Sequence, residues 1–227
     1  MNYIQLSHIS ISDIITILTP SCNFRCRYCF FTPRNCREYD VQSIGDRILE
    51  ISDRTGMDRV LIAGGEPTLQ EDLPELTKIL GRDLHVTIST NGSRRDVLRR
   101  STFHEVHVDL KALDRKKHRR LTGRTNRDVL ECIEEFSDSD KIEVSTVLVP
   151  GIVDTPEIER IARFLSWWDI PYRITGYVPH GNSMAARRPT DDEIRNAARI
   201  SRMYLSSVST SLDFRRHKKR KMIIDTP

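Results

Sequence analysis

Three cysteines fall within eight residues, Cys22, Cys26 and Cys29. Thiolates bunched on one loop are soft ligands for a metal ion or an iron–sulfur cluster. Buried structural thiols do not gather on a loop flanked by Arg25 and Arg27. Structural zinc takes four ligands, usually as two separated pairs, so Cys36 or a histidine would have to complete such a site. A [4Fe–4S] cluster is normally held by four thiolates, and one held by three keeps an iron open for a substrate or cosubstrate. Arg25 and Arg27 either favour deprotonated thiols there or are solvated loop charges. Cys132, beside Ile133 in a helical pattern, reads as a core residue. Cys36, between Arg34 and Arg37, reads as a surface thiol, with a hydrogen-atom donor or regulatory thiol as the alternative.

These cysteines need elements to position them. Runs of β-branched and apolar residues at 14–18, 59–63, 85–89, 105–110, 141–149 and 171–178 predict strands, with a final edge strand at 208–214. Helical spacing predicts helices over 41–54, 73–80, 94–100, 126–136, 155–167 and 190–205, with Asn126, Thr155 and Thr190 or Asp191 as caps. Trp167 and Trp168, closing the 155–167 pattern, read as packing residues. Six strand–helix repeats predict an α/β fold of parallel strands with outer helices. About 200 residues suit a partial (β/α)6 barrel better than a full eight-fold one; a doubly wound sheet is the rival. In either case the site lies at the C-terminal strand ends. The unusual residues do fall there: the cysteines, Gly64-Gly65-Glu66-Pro67, Ser89-Thr90-Asn91-Gly92, Asp109 with Lys111, Pro150-Gly151, and Tyr177 to His180. Gly64-Gly65 allows close approach of backbone to a ligand and positive φ, or is an ordinary strand-ending turn. Asn91-Gly92 is also a plain turn signal. Glu66 and Asp109 could accept hydrogen bonds from an ammonium or a ribose hydroxyl, and Lys111 could pair with a carboxylate.

Cys-x3-Cys-x-aromatic-Cys after the first strand resembles the signature of the radical S-adenosylmethionine (radical SAM) enzymes, with Cys22, Cys26, Tyr28 and Cys29 matching position for position. Gly64 to Pro67 is similar to that family's glycine-rich segment, and Ser89, Thr90 and Asn91 to its polar turn. Asp109-Leu-Lys111, His118 to Gly123, Asn126 and Val147 to Gly151 resemble the glycyl-radical-enzyme activases. The resemblance spans residues 14–181. It implies a partial barrel of the radical SAM type and a [4Fe–4S] cluster on Cys22, Cys26 and Cys29. It implies that S-adenosylmethionine contacts Tyr28, Gly64, Gly65, Glu66, Pro67, Ser89, Thr90, Asn91, Asp109, Lys111 and Pro150, with Tyr28 near the adenine. The implied reaction is one-electron reductive cleavage of the cosubstrate to a 5′-deoxyadenosyl radical that abstracts hydrogen. No protein side chain is assigned as catalytic. A flavodoxin or ferredoxin would be the reductant, and a glycyl radical enzyme the protein substrate. Residues 10–19 lack the Asp-Gly-Pro-Gly-like stretch of many activases, which keeps open a small molecule, a peptide or RNA as substrate. A non-enzymatic iron–sulfur or zinc module is the remaining class.

Composition narrows the partners. The chain has 227 residues with a net charge of +4. Residues 213–227 hold Arg215, Arg216, Lys218, Lys219, Arg220 and Lys221 against Asp213 and Asp225, which is 6 − 2 = +4, so residues 1–212 sum to zero. The expected organisation is therefore one body over 1–212 and a basic tail over 213–227, the tail alone being able to attract nucleic acid. An odd cysteine count with no secretory pattern predicts cytoplasmic thiols rather than a disulfide scaffold. No apolar run approaches the ~18 residues of a membrane span. The histidines form no paired metal motif, and His180 reads as a loop residue.

Overall fold

A computed structural model describes residues 2–34, 36–180, 184–213 and 222–224. The chain resolves into two compact units. One comprises Met1–Asn23, Phe31–Val106 and Lys219–Pro227; the other comprises Phe24–Phe30 and His107–Lys218. The cysteine loop is thus shared, with Cys22 in the first unit and Cys26 and Cys29 in the second.

The first unit begins with three strands, β1 (Tyr3–Leu6), β2 (His8–Ile11) and β3 (Ile15–Thr19). After the cysteine loop come β4 (Arg37–Asp40) and helix α1 (Val41–Thr55). Strand β5 (Arg59–Gly64), a 3-10 turn (Pro67–Leu69) and α2 (Leu73–Leu80) follow. Then come β6 (His85–Thr90), α3 (Arg95–Arg100) and the start of β7 (Glu105–Asp109). Strands β3, β5 and β6 are parallel neighbours, as expected. Their apolar positions, including Ile15, Ile17, Val60, Ile62, Val86 and Ile88, are buried. Helix α1 buries Val41, Ile44, Ile48 and Ile51, an i, i+3, i+7, i+10 stripe, and is capped by the Asp40 carboxylate accepting from Ser43 N–H at 2.9 Å. It ends at Gly56, whose φ of +70° suits glycine.

Antiparallel strands add to this parallel core. Strand β2 pairs with β3, and β1 pairs with β4. A last strand, β11 (Met222–Ile224), pairs with the outer side of β2. This strand belongs to the first unit. The basic stretch between, Arg215, Arg216, Lys218, Lys219, Arg220 and Lys221, and also Phe214, Asp225 and Gly181, lies outside the described residues.

The second unit continues β7 and adds α4 (Arg115–Thr122), α5 (Arg127–Phe136) and β8 (Ile142–Leu148). Helix α6 (Thr155–Leu165), β9 (Tyr172–Gly176), α7 (Asp191–Ser201) and β10 (Val208–Thr210) complete it. Strand β9 lies parallel between β8 and β10. Strand β8 alternates as expected, with Ile142, Val144, Thr146 and Leu148 buried. Several expected caps move. Asp154, not Thr155, stands at the start of α6, with Pro156 in its first turn. Thr190 caps α7 in a full capping box with Glu193, and the helix stops at Ser201 rather than at 205. Trp167 lies past the end of α6 and is 82% exposed, contrary to a packing role; Trp168 does meet Phe164 edge-on at 5.6 Å.

Asn126 precedes α5 but makes no capping bond. Its buried side-chain amide donates instead to the Ala112 and Leu113 carbonyls, at 3.2 and 2.7 Å. Both acceptors lie in the segment just after Asp109 and Lys111, so this amide fixes that strand end. Asn126→Ala should cost about 1–3 kcal/mol in a urea titration, because buried carbonyls lose their donor. Asn126→Asp should cost more, since it turns a carboxylate toward two carbonyl oxygens.

Candidate functional site

In the first unit the expected ligand-binding residues converge on one carboxylate. Glu66 is buried, and its Oε1 accepts from Thr68 N–H at 3.0 Å, Thr68 Oγ1 at 2.6 Å and Thr90 Oγ1 at 2.6 Å. Its Oε2 accepts from Asn91 N–H at 2.6 Å. Burial pushes the Glu66 carboxyl upward, against the Thr68, Thr90 and Asn91 hydrogen bonds that pull it down. Pro67 begins the 3-10 turn that brings Thr68 back to this carboxylate. The Asn91 side chain is also committed: its amide donates to Asn23 Oδ1 at 2.8 Å and approaches Cys22 Sγ at 3.9 Å, while its Oδ1 accepts from Ser93 N–H. Ser89 is half-buried on β6.

The glycine pair stands hard against the chain's own backbone. Gly64 has φ of +109°, and a Cβ there would stand 2.6 Å from the Thr19 carbonyl oxygen. A Cβ on Gly65 would stand 2.1 Å from the Ser21 carbonyl oxygen. The space is taken by the chain's own backbone: Gly65 N–H donates to Thr19 O and Glu66 N–H to Ser21 O. These glycines let β5 run hard against the start of the cysteine loop.

In the second unit the loop residues Phe24 to Phe30 lie against the end of α4. Arg25 N–H donates to Thr122 O at 2.8 Å and Arg27 N–H to Leu121 O at 2.9 Å. Phe24 meets buried His118 edge-on at 5.7 Å, and Nδ1 of that histidine is held by Arg124 O at 2.9 Å. Tyr28 is buried, packs edge-on against Tyr177 at 6.4 Å, and lies under the Lys111 ammonium at 5.9 Å. Lys111 pairs with Asp109 at 2.7 Å, and Asp109 also accepts from the Ser145 hydroxyl. Burial works against the Lys111 ammonium, but the attraction of Asp109 and neighbouring groups, Cys26 among them, holds its pKa above the ordinary lysine value. Burial likewise raises the Tyr28 phenol, with Lys111 opposing. The Tyr28 hydroxyl is buried with no hydrogen-bond partner. His180 reaches the loop, its Nε2 lying 2.9 Å from Cys29 O. Pro150 and Gly151 form a tight turn closed by the Val149–Val153 bridge, with Gly151 at φ +82°.

Asn23, Ser145 and the carbonyls of Leu121 and Thr122 were not singled out from sequence. Asn23 could have been, since it lies between Cys22 and Cys26. The others are common residue types whose roles depend on tertiary placement.

None of the five cysteines is in a disulfide; Cys22 and Cys29 are exposed, Cys26 is half-buried, and Cys132 is buried as expected. Cys36 is exposed, its thiol donating to Arg34 O. Among the described residues no three His, Cys, Asp or Glu side chains converge on a single metal ion. A multi-iron cluster asks for something else, since each thiolate binds a different iron and the sulfurs stand farther apart. The three thiols lie on one loop, and in the second unit the buried Lys111 ammonium and the unpartnered Tyr28 hydroxyl suit a polar cosubstrate. No helix among the described residues is long and apolar enough to cross a membrane.

Residues 16–165 match the family model of the Radical SAM superfamily. A protein of Methanocaldococcus jannaschii, provisionally named a glycyl-radical enzyme activating enzyme, is 51% identical over 96% of this chain and 89% of its own length. Streptococcus suis SuiB, crystallised with its precursor peptide SuiA, superposes with a TM-score of 0.70 at 20% identity over 84% of this chain, which spans 46% of that chain. A domain of a pyruvate-formate lyase-activating enzyme from Bacteroides vulgatus gives 0.58 at 18% identity, covering 67% of this chain and 98% of the domain. The chain belongs to the radical SAM superfamily, whose members use a [4Fe–4S] cluster and S-adenosylmethionine. Its fold class is the α/β, partial-barrel type expected from the strand–helix alternation.

Two substitutions separate structural from ligand roles. Glu66→Gln replaces one acceptor oxygen by a donor facing other donors and should cost about 1–3 kcal/mol in denaturant titration of the ligand-free protein. Tyr28→Phe removes only an unpartnered hydroxyl and should leave that titration unchanged or slightly raise the midpoint.

Proposed function

We propose that this protein is a radical SAM activating enzyme that generates a glycyl radical on a protein substrate. The observation that carries the reading is the 51% identity to the Methanocaldococcus jannaschii protein over 96% of this chain. The cysteine spacing supports the superfamily, and Asp109 with Lys111, His118 to Gly123, and Asn126 support the activase branch.

Cys22, Cys26 and Cys29 would hold the cluster and leave one iron open to S-adenosylmethionine. When bound, these groups supply a one-electron reductive cleavage that yields a 5′-deoxyadenosyl radical able to abstract hydrogen. The chain's own part is positioning and exclusion of water. The Glu66 network holds the Thr90–Asn91 turn in one geometry. Lys111, fixed by Asp109, presents a buried positive charge that suits a carboxylate. Tyr28 offers an aromatic face and a hydroxyl free to meet a ligand. Pro150 and Gly151 supply a rigid turn at another strand end. The electron would come from a one-electron carrier protein.

Cys22→Ala, Cys26→Ala and Cys29→Ala should each lose the cluster after anaerobic reconstitution with iron and sulfide, read as iron content and visible absorption, while Cys36→Ala and Cys132→Ala keep it. The reconstituted wild type, reduced with dithionite, should convert S-adenosylmethionine to 5′-deoxyadenosine. With a glycyl radical enzyme added, electron paramagnetic resonance should show a glycyl radical. Full iron content in any of the three loop variants would overturn the ligand assignment. Cleavage of the cosubstrate without a radical on any glycyl radical enzyme supplied would favour another substrate class.

A further inference from the structure

The second unit carries a concentrated positive surface beside the cysteine loop. Residues 115–125 include Arg115, Lys116, Lys117, Arg119, Arg120 and Arg124 and no acidic residue. Arg25 and Arg27 add two charges from the loop, whose backbone is bonded to the end of α4. All of these except half-buried Lys117 are exposed. Lys117 is paired with Glu157 at 3.3 Å. The described residues give the other seven no carboxylate partner. An eight-residue helix is only about 12 Å long, so these charges crowd a small area.

The fold does not call for them. Helix α4 buries His118, Leu121 and Thr122, and is closed by the Asp114 cap and by Gly123 at φ +80°. Any polar residue would serve at 115, 116, 119 and 120. Like charges four apart, Arg115 with Arg119 and Lys116 with Arg120, cost helix stability by a few tenths of a kcal/mol. Residues 1–212 are neutral in sum, so this patch is a local excess balanced elsewhere. Such a patch steers and orients a partner of opposite charge.

We propose that the α4 surface with Arg25 and Arg27 is the docking site of an acidic one-electron carrier protein. This rests on the reading of the chain as a reductively driven enzyme. Electron transfer falls steeply with distance, and this patch shares backbone hydrogen bonds with the loop that carries Cys26 and Cys29. A nucleic-acid ligand would match the charge but would supply no electron to a cluster on those cysteines.

The test uses the reconstituted full chain, an acidic flavodoxin as probe, and the variant Lys116→Glu/Arg120→Glu, with Lys116→Gln/Arg120→Gln as the milder form. Calorimetric binding of flavodoxin should weaken roughly tenfold or more in the charge-reversed variant, less in the neutral one, and fall with added salt for the wild type. Flavodoxin-driven 5′-deoxyadenosine formation should fall in parallel, while the dithionite-driven rate and the iron content stay at wild-type values. Unchanged flavodoxin binding in the charge-reversed variant overturns the proposal. So does an equal fall with dithionite, which would mark a structural role. So does charge-dependent binding of a single-stranded RNA oligonucleotide with none of flavodoxin. Failure of the underlying enzymatic reading shows separately, as wild-type protein that forms no 5′-deoxyadenosine with dithionite; the binding arm still decides the docking site.

Discussion

The first unit is organised around one buried carboxylate. Glu66 receives four hydrogen bonds from Thr68, Thr90 and Asn91, two of them from backbone amides. A buried carboxylate is tolerable only when its lone pairs are satisfied in this way. The consequence is that the ends of β5 and β6 are locked together. The adjacent backbone bonds, Gly65 to Thr19 and Glu66 to Ser21, lock the end of β3 to them. Asn91 extends the lock to Asn23 and Cys22. Three strand ends and the first cysteine thus share one hydrogen-bonded system, and none can shift without breaking buried bonds.

The second unit solves the same problem with a different device. The loop from Phe24 to Phe30 is held by carbonyls at the end of α4 and by packing of Phe24 on His118 and of Tyr28 on Tyr177. A helix terminus always has carbonyls without intrahelical partners, and here two of the last ones take the loop's amides. The Lys111–Asp109 pair places a charged group beside that loop, over the Tyr28 ring, without leaving an uncompensated buried charge. The Tyr28 hydroxyl and Nε2 of His118 are among the buried polar atoms there with no hydrogen-bond partner. The packing that holds the loop's backbone thus leaves side-chain polar groups open beside it.

The parallel strands, most helices and the three-cysteine loop were legible in the sequence because their signals are local. Apolar runs, a Gly after a helix and thiol spacing need no tertiary knowledge. What was hidden had no local signature. Strands β1, β2 and β4 are four residues each and carry Ser, His, Arg and Glu, so they read as loop until pairing is seen. Helix α4 has almost no apolar stripe, since His118 and Leu121 do most of its burying. The glycine pair was legible as a place where backbone approaches something closely, but the chain partners of that approach, Thr19 and Ser21, were not. Asn126 was read as a cap from its position, while its side chain bonds two distant carbonyls. In each case the residue type was informative and the partner was not.

Net charge shows the same limit at larger scale. A sum of zero over residues 1–212 suggests a surface indifferent to charged partners, yet two short segments hold eight cations. Elsewhere in the second unit the Asp191, Asp192 and Glu193 run opens α7, where carboxylates near a helix N-terminus are favourable for the helix itself, and Asp192 and Glu193 pair with Arg195 and Arg187. The acids of α7 therefore have a local structural reason, and the cations of α4 do not. In a chain of balanced composition, the charges that carry information about partners are those the local fold leaves unexplained. By that criterion α4, which looked least like an element in the sequence, is the part of the second unit most specialised for contact with another molecule.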